Sequence, residues 1–323
     1  MTLGIAFLMV FGGLVALTVG GEVLLRGAVG IARNLGLSPM LIGLSIVAAA
    51  TSMPELMVTV TAGLQDAADV GVGNVIGSNI ANVLLILGVG ALIAPIKILP
   101  CEAFKDAIAM LGATALFILF ALTGELGPLQ GLIMIAALVA YLAYSYWKET
   151  KDQGDDAEEE PSEEMEAAPK SLVIASFFIV AGILGLILGS DFLIDGALFI
   201  ARAAGIPEVV IGLTLVALGT SLPELATVVV AGLRGHSDVA LGNVLGSNIF
   251  NLLLILGVLA LVSPFSVAQD VVEFDMWAML ASSLLVLPVM LCGGKICRSR
   301  GGLFLLLYAL YIGYQFRDQL GLV

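Results

Sequence analysis

The sequence predicts an all-α membrane protein of ten transmembrane helices in two inverted five-helix repeats. Three observations predict it. Of 323 residues, 60% are hydrophobic and 12% charged, with a mean hydropathy of +1.10. So little polar surface cannot cover a water-soluble globule, whereas lipid-facing helices need none. Second, a shift of 169 aligns Glu22–Pro95 with Asp191–Pro264 without a gap, and roughly 40 of those 74 positions are identical, so the chain is a duplication. Third, the apolar stretches number five per copy. An odd number makes the second copy enter the bilayer from the opposite face, the arrangement of transporters built from inverted repeats.

Stretches long enough to span fall at about 3–25, 37–64, 70–94, 104–122 and 127–147 in the first copy, against a requirement of about 20 residues. The second copy has them at about 171–195, 207–233, 239–263, 272–292 and 302–317. The first stretch is not expected to be a removable signal, because its equivalent is internal. Placing the N-terminus and C-terminus outside puts eleven of the 13 basic residues on the cytoplasmic side and leaves Arg202 and Arg317 outside. The expected organisation is a first repeat over residues 1–148, a linker over 149–170 and a second repeat over 171–323. Nine acids lie between Asp152 and Glu166, with Gly154, Pro161 and Pro169, so the linker reads as a solvated tether. Those acids account for most of the net charge of -13, which therefore implies no nucleic-acid partner. Cys101, Cys292 and Cys297 are odd in number and expected at the cytoplasmic face, where thiols stay reduced.

Two paired motifs carry the chemistry. Thr51-Ser52-Met53-Pro54-Glu55 returns as Thr220-Ser221-Leu222-Pro223-Glu224, placing a carboxylate deep in each of two apolar segments. A charge in lipid costs at least a few kcal/mol, so both acids are expected to face an interior cation site. Proline prevents one continuous helix, and Ser52 with Glu55 has the spacing of a capping box, so 37–64 is expected to be two half-helices. The break makes the main-chain carbonyls of Ala48 and Thr51 candidate ligands. The second motif, Gly73-Asn74-Val75-Ile76-Gly77-Ser78-Asn79-Ile80-Ala81-Asn82, returns at Gly242 to Asn251. Asn74, Ser78 and Asn82 lie four apart on one helix face, while Gly73 and Gly77 permit a close helix neighbour.

Two carboxylates and neutral oxygens, with neither His nor Cys, suit a hard cation such as calcium or sodium. Two negative charges are balanced equally by one Ca2+ or two Na+. If only loaded forms cross the closed state, the two ions must alternate.

These motifs resemble the alpha-repeats of the calcium/cation antiporters, and most of all those of prokaryotic sodium/calcium exchangers. The resemblance implies a diamond-shaped cluster of sites between helices 2, 3, 7 and 8, with two long helices, 1 and 6, that slide past the core. Carried over by position, it implies that Glu55, Glu224, Thr51 and Thr220 hold calcium. Ser78 and Ser247, with the main-chain oxygens of Ala48 and Ala217, would serve flanking sodium sites. Asn82 and Asn251 would lie near the centre, and Ser52 and Ser221 belong to the same motifs. Many relatives have Asp where this chain has Asn251, which weakens a potassium-coupled reading.

The expected function is thus calcium/sodium antiport by alternating access, not enzymatic catalysis, in a prokaryotic inner membrane. No cofactor beyond the transported ions is expected, the bilayer and those ions are the partners, and a monomer should suffice. A proton/calcium antiporter remains the alternative, since a proton can also empty a carboxylate. A passive channel would use the same oxygens but would lack dependence on a counter-ion. His236 is expected in the loop between helices 7 and 8, away from the serines, which argues against a hydrolase.

Overall fold

A computed structural model of the chain describes residues 2–97, 100–152, 169–204, 219–269, 271–291 and 294–315. They form helices joined by turns and four two-residue strands. Seven of the helices are long and apolar enough to cross a membrane, or eight if one bent pair counts as a single span. Helix α1 (Leu3–Leu35) begins where the Thr2 hydroxyl accepts from Ile5 N at 3.4 Å and ends at Gly36, whose φ of 67° closes the helix in the left-handed region. Its 33 residues make it about 50 Å long. It outruns the expected 3–25 span because nothing from Glu22 to Leu35 breaks a helix, and Glu22 pairs with Arg26 one turn on at 2.8 Å.

The bent pair comes next. Helix α2 (Pro39–Thr51) is capped by Ser38, contains a wide π-turn at Gly43–Val47, and meets α3 (Met53–Leu64) at 43°. Pro54 has no N–H to offer Ala50 O, yet the ladder continues around it through Ser52 N to Ala48 O (3.0 Å) and Leu56 N to Ser52 O (3.1 Å). The half-helices expected over 37–64 are therefore present, joined by a bend, not a gap. Then follow α4 (Ala68–Ile93), α5 (Pro100–Leu122), α6 (Pro128–Asp152) and α7 (Leu172–Ala203). The chain ends with α8 (Leu222–Leu233), α9 (Ser237–Val262), α10 (Met276–Leu291) and α11 (Arg298–Gln315). Helix α8 has 12 residues, like its equivalent α3, and starts after a turn at Thr220–Ser221; residues 205–218 lie outside the described residues. Helix α11 opens on Arg298 and Arg300, so its 18 residues are less apolar than the seven.

The duplication is visible in the elements. Adding 169 carries Met53–Leu64 onto Leu222–Leu233 and Ala68–Ile93 onto Ser237–Val262 without an offset. The strands join the copies: β1 (Ile96–Lys97) pairs antiparallel with β4 (Lys295–Ile296), and β2 (Glu125–Leu126) with β3 (Phe265–Ser266). Helices α1 and α7 lie against each other along their length, where a Cβ on Gly182 would fall 2.5 Å from Leu24 N. Only glycine lets these backbones come so close. Their interface, with Ile42 and Val47, forms one apolar core; a larger one surrounds α4 and α9. Those two helices are the most buried of the seven, so they form the axis on which the site is built.

The expected linker over 149–170 falls mostly on residues 153–168, outside the described residues, as do Ala217 and Cys292. Cys297 is a free thiol. His236 sits in the turn before α9, where its main-chain N–H bonds to Ala231 O at 2.9 Å.

Candidate functional site

The bend between α2 and α3 and the start of α8 bring the two carboxylates together between α4 and α9. Glu55 and Glu224 are each 1% exposed, and Thr51, Ser52, Ser78, Asn82, Ser221, Ser247 and Asn251 are buried as well. Thr220 is half-buried in the turn before α8, and its Oγ1 has no hydrogen-bond partner among the described residues. Ala48 is fully buried, but its carbonyl already accepts from Ser52 N and, at 3.4 Å, from the Thr51 hydroxyl.

Each serine serves the other repeat's glutamate. Ser52 Oγ donates to Glu224 Oε1 at 3.3 Å, and Ser221 Oγ donates to Glu55 Oε1 at 3.3 Å. Ser78 Oγ lies 3.5 Å from Ser221 Oγ, which ties α4 to the same pair. This corrects the expected capping box: neither Ser52 nor Ser221 caps its own helix. The ladder through the bend already satisfies the nearby amides, whereas the opposite carboxylate is buried and without a basic partner among the described residues. A charged acceptor is the stronger hydrogen-bond partner.

The second motif splits by depth along the helix. Asn82 and Asn251 open matching π-turns, Asn82–Ile86 and Asn251–Ile255, and such widened turns occur frequently at functional sites. Asn74, expected on the same oxygen face, turns instead to Thr59, donating to its Oγ1 at 3.3 Å, while its equivalent Asn243 accepts from Thr51 Oγ1 at 3.1 Å. The expected close helix approach is present in the second copy: a Cβ on Gly246 would stand 2.2 Å from Leu44 O, and one on Gly242 2.5 Å from Met40 O. The positions that would match for Gly73 and Gly77 lie at 209–213, outside the described residues.

Among buried atoms without a hydrogen-bond partner are Glu55 Oε2, Glu224 Oε2, Asn82 Oδ1 and Asn251 Oδ1. All four are acceptors. An unsatisfied buried acceptor costs about 1–3 kcal/mol, and more when charged, so the two carboxylate oxygens in particular call for a cation to satisfy them. The described residues contain no group of three or more His, Cys, Asp or Glu that could hold a metal, so the site's formal charge comes from these two glutamates alone. Asn79 and its equivalent Asn248, to which the sequence assigns no role, bond directly to Asn251 and Asn82 respectively. The spacing of three from Asn79 to Asn82, which puts both on one side of α4, was the signal that could have found them.

Comparison with known proteins gives the family. The family description "sodium/calcium exchanger protein" matches residues 5–147 and 174–317, nearly the whole chain on both sides of the linker. The chain belongs to the sodium/calcium exchanger family. Among its relatives in that family, the sodium/calcium exchanger MaX1 of Methanosarcina acetivorans is 35% identical, over 95% of this chain and 97% of that one. The inner membrane protein YrbG of Escherichia coli is 31% identical over 88% of each. The solved structure of the sodium-calcium exchanger NCX_Mj superposes with a TM-score of 0.81 at 30% identity, covering 97% of this chain and 99% of that one. An all-helical exchanger fold is thereby established for this membrane protein.

Proposed function

We propose that the chain is a secondary active antiporter that exchanges calcium for sodium by alternating access. It is built as ten helices in two inverted five-helix repeats, with both termini outside a prokaryotic inner membrane and the acidic tether in the cytoplasm. One observation carries the reading: two buried glutamates, each held by the other repeat's serine, with one oxygen apiece left unpaired and no basic partner among the described residues. Such a site holds two negative charges in an interior of low dielectric, where an uncompensated charge is costly. One Ca2+ or two Na+ neutralises it, and the empty site is disfavoured from crossing. Glu55, Glu224, Thr51 and Thr220 would hold calcium; Ser78, Ser247 and the main-chain oxygens of Ala48 and Ala217 would contribute to sodium sites, with Ser52 and Ser221 orienting the carboxylates. Support comes from relatives too, since MaX1 is named a sodium/calcium exchanger and NCX_Mj was solved after soaking in Na+ with Sr2+ or Ca2+.

The decisive experiment loads vesicles with sodium and follows radiolabelled calcium uptake while sodium and pH gradients are imposed independently. Uptake should follow the sodium gradient at fixed pH and need no potassium. Uptake at full rate on a pH gradient without sodium would assign proton/calcium exchange instead, and uptake without any counter-ion would assign a channel.

A further inference from the structure

Four asparagines cross the interface between α4 and α9; Asn82 and Asn251 are the pair expected near the centre of the site, whereas Asn79 and Asn248 have no role assigned so far. Asn79 and Asn248 are each 1% exposed. Asn79 Nδ2 donates to the main-chain oxygen of Asn248 at 3.3 Å, and Asn248 Nδ2 donates to the main-chain oxygen of Asn79 at 3.4 Å. A main-chain carbonyl can only accept, so the nitrogen of each amide must lie on that side and the oxygen on the other. Methionine sulfurs stand on the same nitrogens, Met279 Sδ at 3.8 Å and Met110 Sδ at 3.4 Å, and they too are acceptors. Neither amide can turn over without setting its oxygen against another acceptor.

The constraint then passes one residue further. Asn248 Oδ1 accepts from Asn82 Nδ2 at 3.0 Å, and Asn79 Oδ1 accepts from Asn251 Nδ2 at 3.0 Å. Because those oxygens demand donors, Asn82 and Asn251 must present their NH2 groups to them. Their own Oδ1 atoms are left over, buried and without a hydrogen-bond partner. Asn82 lies one turn beyond Ser78 on α4, and Asn251 one turn beyond Ser247 on α9, so both free oxygens belong to the face that carries the serines.

We propose that Asn79 and Asn248 are positioning residues that fix the amide polarity of Asn251 and Asn82, turning two carbonyl oxygens toward the transported cation and both NH2 groups away. The proposal rests on the reading of this site as a cation-exchange site. An amide free to rotate would spend part of its time with N–H dipoles facing a cation, which repels it. The relay also accounts for asparagine at all four positions: each must donate on one side and accept on the other, which neither an ionised aspartate nor an alkyl side chain does.

The test removes the relay and then makes the polarity irrelevant. In Asn248→Leu and Asn79→Leu, the apparent KM for calcium uptake should rise about tenfold or more with Vmax within about twofold, the signature of weakened binding rather than a slower machine. Adding Asn82→Asp to Asn248→Leu, or Asn251→Asp to Asn79→Leu, presents an oxygen in either orientation, and should bring KM back to within about threefold of the parent. An unchanged KM in the leucine variants overturns the proposal, and so does a raised KM that the aspartates fail to rescue, since lost packing alone would behave that way. If a leucine variant does not fold, Asn248→Ser or Asn79→Ser, too short to reach its partner, replaces it with the same expectations. A parent without sodium-dependent calcium uptake would defeat the exchange reading separately; the same variants are then read by calorimetric titration of the purified protein with Ca2+, where the loss and rescue of affinity decide the positioning role alone.

Discussion

At the scale of single residues, what matters is which atoms are left unpaired. Glu55 and Glu224 each give one oxygen to a serine of the opposite repeat and keep one free in the interior. Glu55→Gln and Glu224→Gln keep side-chain size but remove half of the charge that offsets a divalent ion. Each should therefore lower calcium uptake by at least about a hundredfold, because the lost attraction to Ca2+ in a dry site exceeds about 3 kcal/mol. The folded protein should remain, shown by a thermal transition in detergent no lower than the parent's, since a buried unpaired charge has been removed. Near-normal uptake by either variant would defeat the site assignment. Asn251→Asp tests the centre differently. The protonated acid can still donate to Asn79 Oδ1, whereas the ionised one opposes oxygen to oxygen, so exchange by this variant should fall as pH is raised more steeply than in the parent. A flat profile matching the parent's would show that the contact with Asn79 has no influence on transport.

At the scale of elements, the close seating of α9 on α2 brings Thr51 to Asn243 and keeps the bend in place. Gly246 faces Leu44 O and the Ala48 Cβ, at 2.2 and 2.7 Å from an added Cβ, whereas Gly12 on α1 has nothing within 4 Å. Gly246→Ala must push α9 from the α2 backbone, a strain of at least about 1–3 kcal/mol, while Gly12→Ala should be neutral or slightly stabilising through helix propensity. Thermal unfolding of the two variants in the same detergent distinguishes them; equal stability would show that the contact yields cheaply. The bend after Thr51 was legible from Pro54, whereas α1 runs ten residues past the expected span because apolarity marks the part in lipid and not the end of the helix. The π-turns at Asn82 and Asn251 were not, because an i+5 register differs from i+4 only in which carbonyl takes each amide, and packing against the partner helix decides that.

At the scale of the whole molecule, the distribution of basic residues is the basis of the proposed orientation. With the three native cysteines removed, a cysteine introduced in the 66–69 loop should react with an impermeant thiol reagent from outside intact cells, and one introduced at 154 should react only after permeabilisation. The opposite pattern would overturn the arrangement with both termini outside. The two antiparallel strand pairs, each linking one copy to the other, fit two repeats related by a two-fold axis. Glu22 adds a tie of another kind, pairing with Arg26 on its own helix and with Arg234 beyond the end of α8, each at 2.8 Å. Its equivalents are Asp191, Asp195 and Gln65, so the duplication does not repeat this bridge.

The sequence by itself determined the membrane class, the duplication, and the two motifs that meet at the site. It could do so because burial in lipid excludes charge, and the exceptions at Glu55 and Glu224 stand out at equivalent places in both copies. It also offered a local partner for each serine, through a spacing of three that would cap a helix. Only the tertiary structure decided otherwise, placing Ser52 against a carboxylate 172 residues away and Ser221 against one 166 residues away. The same holds for the asparagines: sequence spacing put Asn74 and Asn82 on one face, but the main-chain carbonyls of Asn79 and Asn248 determine which amide atoms remain free. Periodicity reports the face of a helix, whereas hydrogen-bond polarity depends on the donors and acceptors that folding brings opposite it.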